Sequence, residues 1–371
     1  MLFEEVPNFE YNLTFPIMSS KFYQDEDFAS TGKNNNPVGT GKYKISSVQS
    51  DRIILKQNQN WWNLSNQELK LETITLILYS NMGEVYNAFK LGSIDILSTS
   101  SLNYEEYIGT IGYLKKEYNS RQYDYIAFNC ESKLLSNIEI RQAISHAIDK
   151  NNIVASIYAS KYSVADFIID SASYIYPKDV GDIEYNKDLS TQILEENGWE
   201  YKKDSWQRKE NYVTTRLKLD FVVNQNNAKR VEVAENIVAQ LNEIGISVNL
   251  IKASDSQYQN YLINKNYDMI LTGNVAGFSP NLKKYVGDNN LAKFDNEEAN
   301  QITREIVNIT KDEKLLAEKY KRLVQILKDE MPYLSLYHSN STLIYSPNLK
   351  GNIEPSAYNI YENIEGWYRE Y

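Results

Sequence analysis

The sequence has little of the material from which disulfides and metal sites are built. Of its 371 residues, one is a cysteine, Cys130, and two are histidines, His146 and His338. A single cysteine cannot form an intrachain disulfide, and these three residues do not make a Cys/His cluster for zinc. We therefore expect no metal and no cofactor.

Positive charge and long apolar runs are also scarce. The 39 Lys and Arg residues are outnumbered by 49 Asp and Glu residues, for a formal net charge of -10. Nucleic acid and anionic lipid require clustered cations, so we expect neither as a partner. No run approaches the roughly 18 apolar residues that span a bilayer. The opening Met-Leu-Phe-Glu-Glu has neither the basic nor the apolar region of a signal peptide.

Hydrophobic residues make up 42% of the chain, and a chain of this length exceeds the usual size of one core, so two lobes are expected. Tyr43–Val48 and residues 52–56 flank a polar turn and predict a β-hairpin. An alternating strand at 74–78, a helix at 84–91 ended by Gly92 and a strand at 94–96 predict a βαβ unit with a parallel strand pair.

The second half of the chain shows clearer periodicity. Ser136 and Glu139 have the spacing of a capping box at the start of a helix, and Asp149 is placed to cap the next helix. Further on, strands at 217–223, 246–250 and 268–271 alternate with helices at 231–244 and 256–264, and Gly245 ends the first of these. The order is β-α-β-α-β, which is typical of an α/β lobe.

Two separated blocks carry a family resemblance. The first, Asn-Pro-Val-Gly-Thr-Gly-Lys-Tyr, ends at Tyr43; the second begins at Phe128-Asn129-Cys130 and continues through Arg141-Gln142-Ala143 to Asp149. In order and spacing they resemble the extracellular solute-binding proteins of family 5, the peptide and nickel transporter type. Trp61-Trp62 and the segment from Met331 to Leu334 fall where that family has similar residues.

The resemblance implies an α/β, two-lobed periplasmic-binding-protein-like (type II) fold and a capture function without catalysis. Such a protein is the substrate-binding component of an ABC importer: it takes a peptide or peptide-like solute between two lobes by hinge closure and delivers it to the membrane permease subunits. Family members are extracellular, as cell-surface lipoproteins or in the periplasm.

Nothing in this sequence matches the N-terminal stretch of the family, which supplies a small extra domain and the start of the first lobe. We therefore expect an incomplete first lobe at residues 1–122, a second lobe at 123–335, and a return into the first lobe at 336–371. Membrane attachment is expected only through the missing N-terminal anchor.

Ligands of open parallel sheets bind beyond the carboxyl ends of the strands, and this rule selects two predicted loops, residues 97–101 and 272–280, which we expect to face each other. Tyr123 and Tyr125 fall where the relatives place ligand-facing side chains, and Asn129 ends the same strand. The predicted ligand-binding residues are Ser98, Thr99, Ser100, Tyr123, Tyr125, Asn129, Gly273, Asn274, Val275, Ala276, Gly277 and Phe278. We expect the wall from Gly273 to Phe278 to act through backbone N–H and C=O groups.

The same loop departs from the family pattern. Peptide-binding relatives resemble Gly-Trp-x-x-Asp-Tyr there, and their aspartate neutralises the amino group of the peptide. Here Asn274 stands at the tryptophan position and Gly277 at the aspartate position. Because an unpaired buried ammonium is costly, capped, modified or neutral ligands become more plausible unless Asp124 or Glu131 substitutes.

Several other patterns favour structural roles. The glycines at 39 and 41 do not make a phosphate loop, because Tyr43 replaces the required hydroxyl residue and a hairpin follows. Arg141 is interpreted as an ordering residue of the second lobe in preference to an anion site, and His146 as a surface or lobe-packing residue in preference to a general base. A thiol–imidazole pair of Cys130 and His338 stays open on sequence grounds, although no catalytic motif supports it.

The alternative function is of another class. The same domain type is fused to DNA-binding domains, so a ligand-sensing domain of a cytoplasmic transcription regulator is the second hypothesis. A hydrolase has no supporting motif, and we expect the protein not to be an enzyme.

Overall fold

A computed structural model describes residues 19–24, 27, 30–65, 68–169, 173, 175–276, 282–309 and 312–370 of the protein. Within them the chain forms two compact units. The large unit is Arg121–Ser339; the small unit comprises residues 19–120 and 340–370. The chain passes from one to the other within two long strands, Leu114–Phe128 and Tyr333–Tyr345. The lobe limits expected from the sequence stay predictions.

The small unit is built mainly of short antiparallel pairs. Its elements are α1 (Ser20–Tyr23), β1 (Tyr43–Val48), β2 (Arg52–Gln57), β3 (Thr73–Ile77), α2 (Met82–Lys90), β4 (Ile96–Thr99), α3 (Glu105–Ile108), the first part of β5 (Leu114–Phe128), the last part of β13 (Tyr333–Tyr345), β14 (Leu349–Lys350) and β15 (Tyr368–Arg369). The strands β1, β2 and β3 form one antiparallel sheet. The predicted hairpin is confirmed, with Tyr43 opposite Gln57.

The predicted parallel βαβ pair is wrong. The strand β3 belongs to the sheet of β1 and β2, whereas β4 pairs antiparallel with β13 through Thr99 and Thr342. The intervening helix does form: Asn81 caps α2 by accepting a hydrogen bond from the Glu84 N–H, and Gly92 follows its end with φ of 69°. Strand periodicity identifies the two strands but does not identify their partners.

The large unit holds the remaining elements. These are the rest of β5, α4 (Ile138–Ala147), α5 (Lys150–Tyr158), β6 (Ser163–Val164), α6 (Lys187–Glu196), β7 (Glu200–Lys202), β8 (Ser205–Glu210), β9 (Val213–Arg216), β10 (Lys218–Asn224), α7 (Ala228–Glu243), β11 (Ser247–Ala253), α8 (Asp255–Asn264), β12 (Met269–Val275), α9 (Lys283–Val286), α10 (Glu297–Ile306), α11 (Glu313–Glu330) and the first part of β13. The predicted β-α-β-α-β series is confirmed as β10-α7-β11-α8-β12.

The sheet of the large unit is mixed. Its order is β11-β10-β12-β5-β13; β10 runs parallel to β11 and β12, whereas β12 runs antiparallel to β5. Leu219, Phe221 and Val223 of β10 are fully buried, which explains their alternation in the sequence. Within the described residues, no helix is long and apolar enough to cross a membrane.

Two of the predicted helix ends in the large unit form as capping rules predict, and a third does not. Asp149 accepts a hydrogen bond from the Asn152 N–H and caps α5, as predicted, and Gly245 follows α7 with φ of 81°. The predicted capping box at Ser136 is wrong, because α4 begins after Asn137, without a side-chain cap. Glu139 lies 3.4 Å from Nη1 of Arg208 and forms an ion pair with it.

Candidate functional site

The candidate site lies in the large unit, where β12 extends beyond its parallel neighbour. Pairing of β12 with β10 ends at Ile270, opposite Val222, whereas pairing with β5 continues to Val275, opposite Gln122. Residues 272–275, predicted as a loop, are therefore strand residues. One edge of β12 is therefore paired with β5 along its whole length, whereas the other edge is paired with β10 only as far as Ile270.

The hydrogen-bond pattern shows which backbone groups point to each edge. Asn129 N–H donates to the Asp268 carbonyl at 2.8 Å, and Ala276 N–H donates to the Arg121 carbonyl at 2.6 Å. Bonded pairs alternate along an antiparallel ladder, so the even-numbered residues between these positions bond to β5. The N–H and C=O groups of Gly273 and Val275 point to the opposite edge. We call this stretch, at Gly273 and Val275, the open edge of β12.

A buried ion pair lies across the sheet at the same level. Asp124 on β5 is 5% exposed, and Arg230 on the first turn of α7 binds it with two parallel hydrogen bonds. Nε of Arg230 is 2.7 Å from Oδ2, and Nη2 is 2.7 Å from Oδ1. The neighbouring carboxylate raises the pKa of the Arg230 guanidinium against the opposing effect of desolvation. The arginine is held as a fixed cation.

Gly273 makes room for this pair. A Cβ atom at position 273 would lie 2.0 Å from Oδ1 of Asp124, 2.4 Å from Nη2 of Arg230 and 2.7 Å from the Tyr123 carbonyl oxygen. No side chain fits at those distances. Gly273 is therefore needed for the guanidinium to cross β12 and reach β5.

The Asp124 carboxylate has no capacity left for a ligand. Besides its two bonds from Arg230, Oδ1 accepts from Nε2 of Gln122 at 2.7 Å and Oδ2 accepts from the Tyr337 hydroxyl at 3.1 Å. An ionised carboxylate offers about four acceptor positions, and all are used. Tyr337 is itself 2.8 Å from the Tyr158 hydroxyl.

The acids named as substitutes for the missing amine clamp are thus both engaged. Asp124 is neutralised by Arg230, and Glu131, with a side chain 66% exposed, pairs with Lys293 at 3.2 Å. Neither carboxylate is free for a buried ligand ammonium.

Tyr123 and Tyr125 lie in the core of the large unit. They are 1% and 3% exposed, and their rings stack with centroids 5.1 Å apart. The Tyr123 hydroxyl is 2.7 Å from Oγ of Ser335, and the Tyr125 hydroxyl is 3.3 Å from Oδ1 of Asn274. Burial raises the pKa of both phenols. The ligand contacts expected of these two side chains stay predictions.

Asn274 joins Tyr125 to another buried tyrosine, Tyr285. Its Oδ1 accepts from Tyr125, and its Nδ2 donates to the Tyr285 hydroxyl at 2.8 Å. Val275 is 56% exposed, Gly273 and Ala276 are half-buried, and Gly277 and Phe278 lie outside the described residues.

The remaining predicted residues are engaged within the protein or lie in the other unit. Asn129 is 5% exposed, and its Nδ2 donates to the carbonyls of Lys265 and Tyr267 at 3.0 and 2.9 Å. In the small unit, Thr99 contacts the Tyr86 hydroxyl at 2.7 Å. Ser98 and Thr99 are residues of β4, not of a loop, and Ser100 follows the strand exposed.

The two histidines and the cysteine lie in separate environments. His338 packs on Tyr123, with ring centroids 5.1 Å apart. Cys130 lies two residues beyond Phe128, the carboxyl end of β5, which is itself roughly 16 Å from Tyr123 along the strand. Burial raises the pKa of the Cys130 thiol, which disfavours the thiolate. His146 lies 2.7 Å from the Glu184 carbonyl oxygen. Within the described residues, no group of three His, Cys, Asp or Glu side chains is placed to hold a metal.

Sequence reasoning missed Arg230, Tyr337 and Tyr158. Their partner Asp124 is 106 residues before Arg230 and 213 residues before Tyr337, so spacing gives no signal. One signal was available: an arginine three residues after the helix cap Asn227, just beyond a strand of the parallel set. A side chain there lies near the carboxyl ends of the strands.

Comparison with known proteins identifies relatives over nearly the whole chain. Heme-binding protein A of Haemophilus influenzae is 22% identical over 364 residues, covering 89% of this chain and 60% of the relative. Oligopeptide-binding protein AppA of Bacillus subtilis is 25% identical over 355 residues, covering 90% of this chain and 62% of the relative. The chain thus spans about three fifths of the length of these relatives.

Solved structures show the same fold. The chain matches HbpA2 from Haemophilus parasuis with a TM-score of 0.83 at 17% identity, over 100% of this chain and 73% of that one. It matches the ABC transporter substrate-binding protein CtaP from Listeria monocytogenes with a TM-score of 0.80 at 19% identity, over 100% and 75%. The predicted fold class, a two-lobed α/β solute-binding fold, is confirmed.

The family model for bacterial extracellular solute-binding proteins, family 5 Middle, matches residues 2–293. This range exceeds half of the 371 residues. The chain belongs to the bacterial extracellular solute-binding proteins of family 5.

Proposed function

We propose that this protein is the solute-binding component of an ABC importer and that its solute is a peptide or peptide-like molecule. Family membership supports the transport role. Relatives whose names state a ligand include an oligopeptide-binding protein and a heme-binding protein, which supports capture without chemical conversion. The comparisons give no support to a ligand-sensing domain of a transcription regulator.

The open edge of β12 is the observation that favours a peptide. An extended peptide can bind a sheet by adding its backbone to a strand edge. At Gly273 and Val275 the N–H and C=O groups point away from β5, past the last β10 pair at Val222. Gly273 and Val275 each offer one N–H donor and one C=O acceptor. They are two residues apart, which matches the two-residue repeat of an extended peptide bound beside them. Ligand contact by Gly273, Asn274, Val275 and Ala276 is part of this proposal.

Import requires further steps that the proposal takes from the family. The protein acts outside the cell, at the surface or in the periplasm, closes its lobes on the solute and presents the closed form to permease subunits. A ligand drives such closure only through tighter binding to the closed state. Ser98, Thr99 and Ser100 are the proposed ligand contacts of the small unit.

Replacing Val275 with proline tests the open edge. Proline removes the N–H that points away from β5 and leaves the bonds of the even-numbered residues in place, so the fold is retained. We expect Val275→Pro to lose peptide binding in calorimetry, while the control Val275→Ala keeps the N–H and binds as the unaltered protein does. Equal peptide affinity of the two variants would show that this edge does not bind the ligand.

A second measurement separates binding from catalysis. Peptides, esters and glycosides incubated with the protein should be recovered intact, because Cys130 and His338 lie apart and no nucleophile–base pair is assembled around them. Steady product formation that disappears in Cys130→Ala or His338→Ala would contradict the proposal.

A further inference from the structure

The strands β7, β8 and β9 form a small antiparallel sheet of their own within the large unit. We call residues 200–216, which hold these strands and their two turns, the arm. One face of the arm packs on the unit: Trp206 is 3% exposed, its Nε1 donates to the Ile244 carbonyl at 2.7 Å, and its ring centroid lies 5.4 Å from that of Tyr201. The opposite face, which we call the outer face, is turned away from this packing because side chains alternate along a strand.

The outer face has a surplus of positive charge. The register places five residues on it: Glu200, Lys202, Lys209, Thr214 and Arg216. Glu200 pairs with Lys202, whereas Lys209 and Arg216 are exposed and form no ion pair with any residue that the structure describes. Lys209 lies opposite Thr214, two residues before Arg216, so the two cations are diagonal neighbours on the same face.

The tip of the arm holds a tyrosine that folding alone does not explain. Glu210 pairs with Val213, so Asn211 and Tyr212 form a two-residue turn, with φ of 45° and 65°. Such turns favour glycine at the second position, because a bulky side chain is strained at positive φ. Tyr212 is also 95% exposed, so burial does not offset the strain.

Tyr212 and the unpaired cations belong to one surface. Nζ of Lys209 lies 5.8 Å from the centroid of the Tyr212 ring, so the ring stands beside the outer face. Val213, next along the chain, is 63% exposed. Aromatic rings with a polar tip, together with exposed cations, favour the boundary between lipid headgroups and acyl chains.

The negative charge of the whole chain does not decide this local attraction. The expectation that anionic lipid is not a partner rests on the net charge of -10. At physiological ionic strength, charges are screened over about 8 Å, so the groups of the arm itself matter most. Of its three acids, Glu200 and Glu210 pair with Lys202 and Arg208, and Asp204 lies in the turn at the other end of β8.

We propose that the outer face and tip of the arm form a membrane-contact surface for anionic lipid. Lys209 and Arg216 bind the headgroup phosphates, and Tyr212 enters the headgroup region. Two cations and one ring give weak, reversible binding, which orients the protein at a bilayer without fixing it there. The arm leads into the amino end of β10, whereas the open edge of β12 lies past the last β10 pair at Val222. This surface is therefore separate from the proposed solute site.

Vesicles of two compositions test the surface on the full 371-residue chain. Cosedimentation is measured with phosphatidylcholine alone and with an equal mixture of phosphatidylcholine and phosphatidylglycerol. We expect binding to the anionic vesicles to be at least about tenfold stronger than binding to the neutral ones. Binding should be lost at about 1 M salt, where the screening length falls to about 3 Å.

Removing the cations should weaken binding in steps. Lys209→Gln and Arg216→Gln should each lower the partition coefficient on anionic vesicles about fivefold, and the double variant should lower it about twentyfold. Lys314→Gln is the matched control, because Lys314 is an exposed residue of α11 outside the arm. It makes the same change in net charge and should bind as the unaltered protein does.

Replacing Tyr212 separates lipid contact from stability. Tyr212→Gly relieves the strain at positive φ, so we expect a higher urea midpoint together with a partition coefficient about threefold to tenfold lower. Asn211→Gly keeps the tyrosine and is the control within the same turn; it should bind lipid as the unaltered protein does. A variant that is more stable and yet binds less has not lost binding through unfolding.

The assignment is overturned if the unaltered protein partitions equally into neutral and anionic vesicles, or if the double variant binds as tightly as Lys314→Gln. Equal binding of Tyr212→Gly and Asn211→Gly overturns the role of the tip. A dimer in sedimentation that Arg216→Gln abolishes would assign the surface to a second copy of the chain instead of lipid. Each of these results leaves the proposed solute binding, which is measured with peptides, intact.

Discussion

Two arginines of the large unit are buried in different ways. Arg141 is 3% exposed, and its donors reach backbone carbonyls: Leu135 at 2.6 Å, Glu330 at 3.1 and 2.5 Å, and Met331 at 3.1 Å. Arg230 binds one carboxylate and leaves Nη1 without a partner among the described residues. Both are fixed cations, but all three nitrogens of Arg141 donate to the protein, whereas only two nitrogens of Arg230 do so among the described residues.

The location of each arginine explains the difference. Arg141 donates hydrogen bonds to the carbonyls at the carboxyl end of α11. Glu330 is the last residue of that helix, and Met331 follows in a left-handed conformation with φ of 47°. Helix ends leave carbonyls unpaired and carry partial negative charge, so the carbonyls there accept hydrogen bonds from Nε and Nη2 of Arg141, while Nη1 donates to Leu135. Arg230 stands beyond the end of a strand, where one acid suffices to hold it. Burial alone therefore does not distinguish the two arginines; the number of guanidinium nitrogens that donate to the protein does.

Removing Arg141 should have the largest effect on stability. Arg141→Ala leaves the carbonyls of Leu135, Glu330 and Met331 without their donor, and we expect a loss of about 4 kcal/mol in the free energy of unfolding. Urea unfolding measures the loss, and hydrogen exchange should show faster opening at the end of α11. The exposed Arg304, replaced by alanine, is the control and should cost little. A loss no larger than the control would show that the carbonyl contacts contribute nothing.

Adding a methyl group at Gly273 should have the next largest effect. The Cβ of Gly273→Ala would meet Asp124 at 2.0 Å, so the ion pair must separate. We expect the unfolding free energy to fall by about 2 to 3 kcal/mol and ligand affinity to fall with it. Gly39→Ala is the matched control, because no heavy atom lies within 4 Å of its added Cβ. Unchanged stability of Gly273→Ala would mean that the pair has room to move.

The smallest effect on stability is expected from the carboxylates beside a third buried cation, Lys150. Nζ of Lys150, a residue 6% exposed, lies 2.7 Å from Asp182 and 3.9 Å from Asp166. Burial, and then the charge of Asp182, raises the pKa of Asp166 despite a hydrogen bond from Tyr176. The native state thus holds this proton more tightly than the unfolded chain does.

The sign of the pH dependence follows from that binding. Stability falls as pH rises from the ordinary carboxyl pKa of about 4 through the raised native value, because the native acid ionises at a cost. Relative to Asp166→Asn, the unaltered protein should lose stability over this interval and then level off. Thermal unfolding across pH measures the difference; a difference that grows in the unaltered protein's favour with rising pH would contradict it.

Local sequence rules predicted the elements well, and long-range pairing poorly. The hairpin at Tyr43, the cap at Asp149 and the helix end at Gly245 depend on a few neighbouring residues, and all three form. The parallel pair of β3 and β4 does not form, because strand partners depend on segments remote in sequence.

In the candidate site, too, local features were predictable from the sequence and long-range contacts were not. The rule that ligands bind at the carboxyl ends of parallel strands predicts a site in the loop at residues 272–280. The described part of that range includes the open edge of β12, although residues 272–275 continue a strand. The hydrogen bonds between Asp124 and Arg230 join residues 106 positions apart, and no periodic pattern in the sequence indicates such a contact. The sequence predicts that Gly273 binds the ligand through its backbone, whereas the ion pair requires its lack of a side chain.

The buried tyrosines of the large unit should make its unfolding in base visible by ultraviolet absorbance. Burial raises the pKa of Tyr123, Tyr125, Tyr285, Tyr333 and Tyr337, so the native state keeps these phenols protonated above their ordinary value of about 10. Unfolding releases them to ionise, and the native state therefore loses stability as alkalinity increases. Their ultraviolet phenolate absorbance should consequently appear together, in one cooperative step, when the unit unfolds in base.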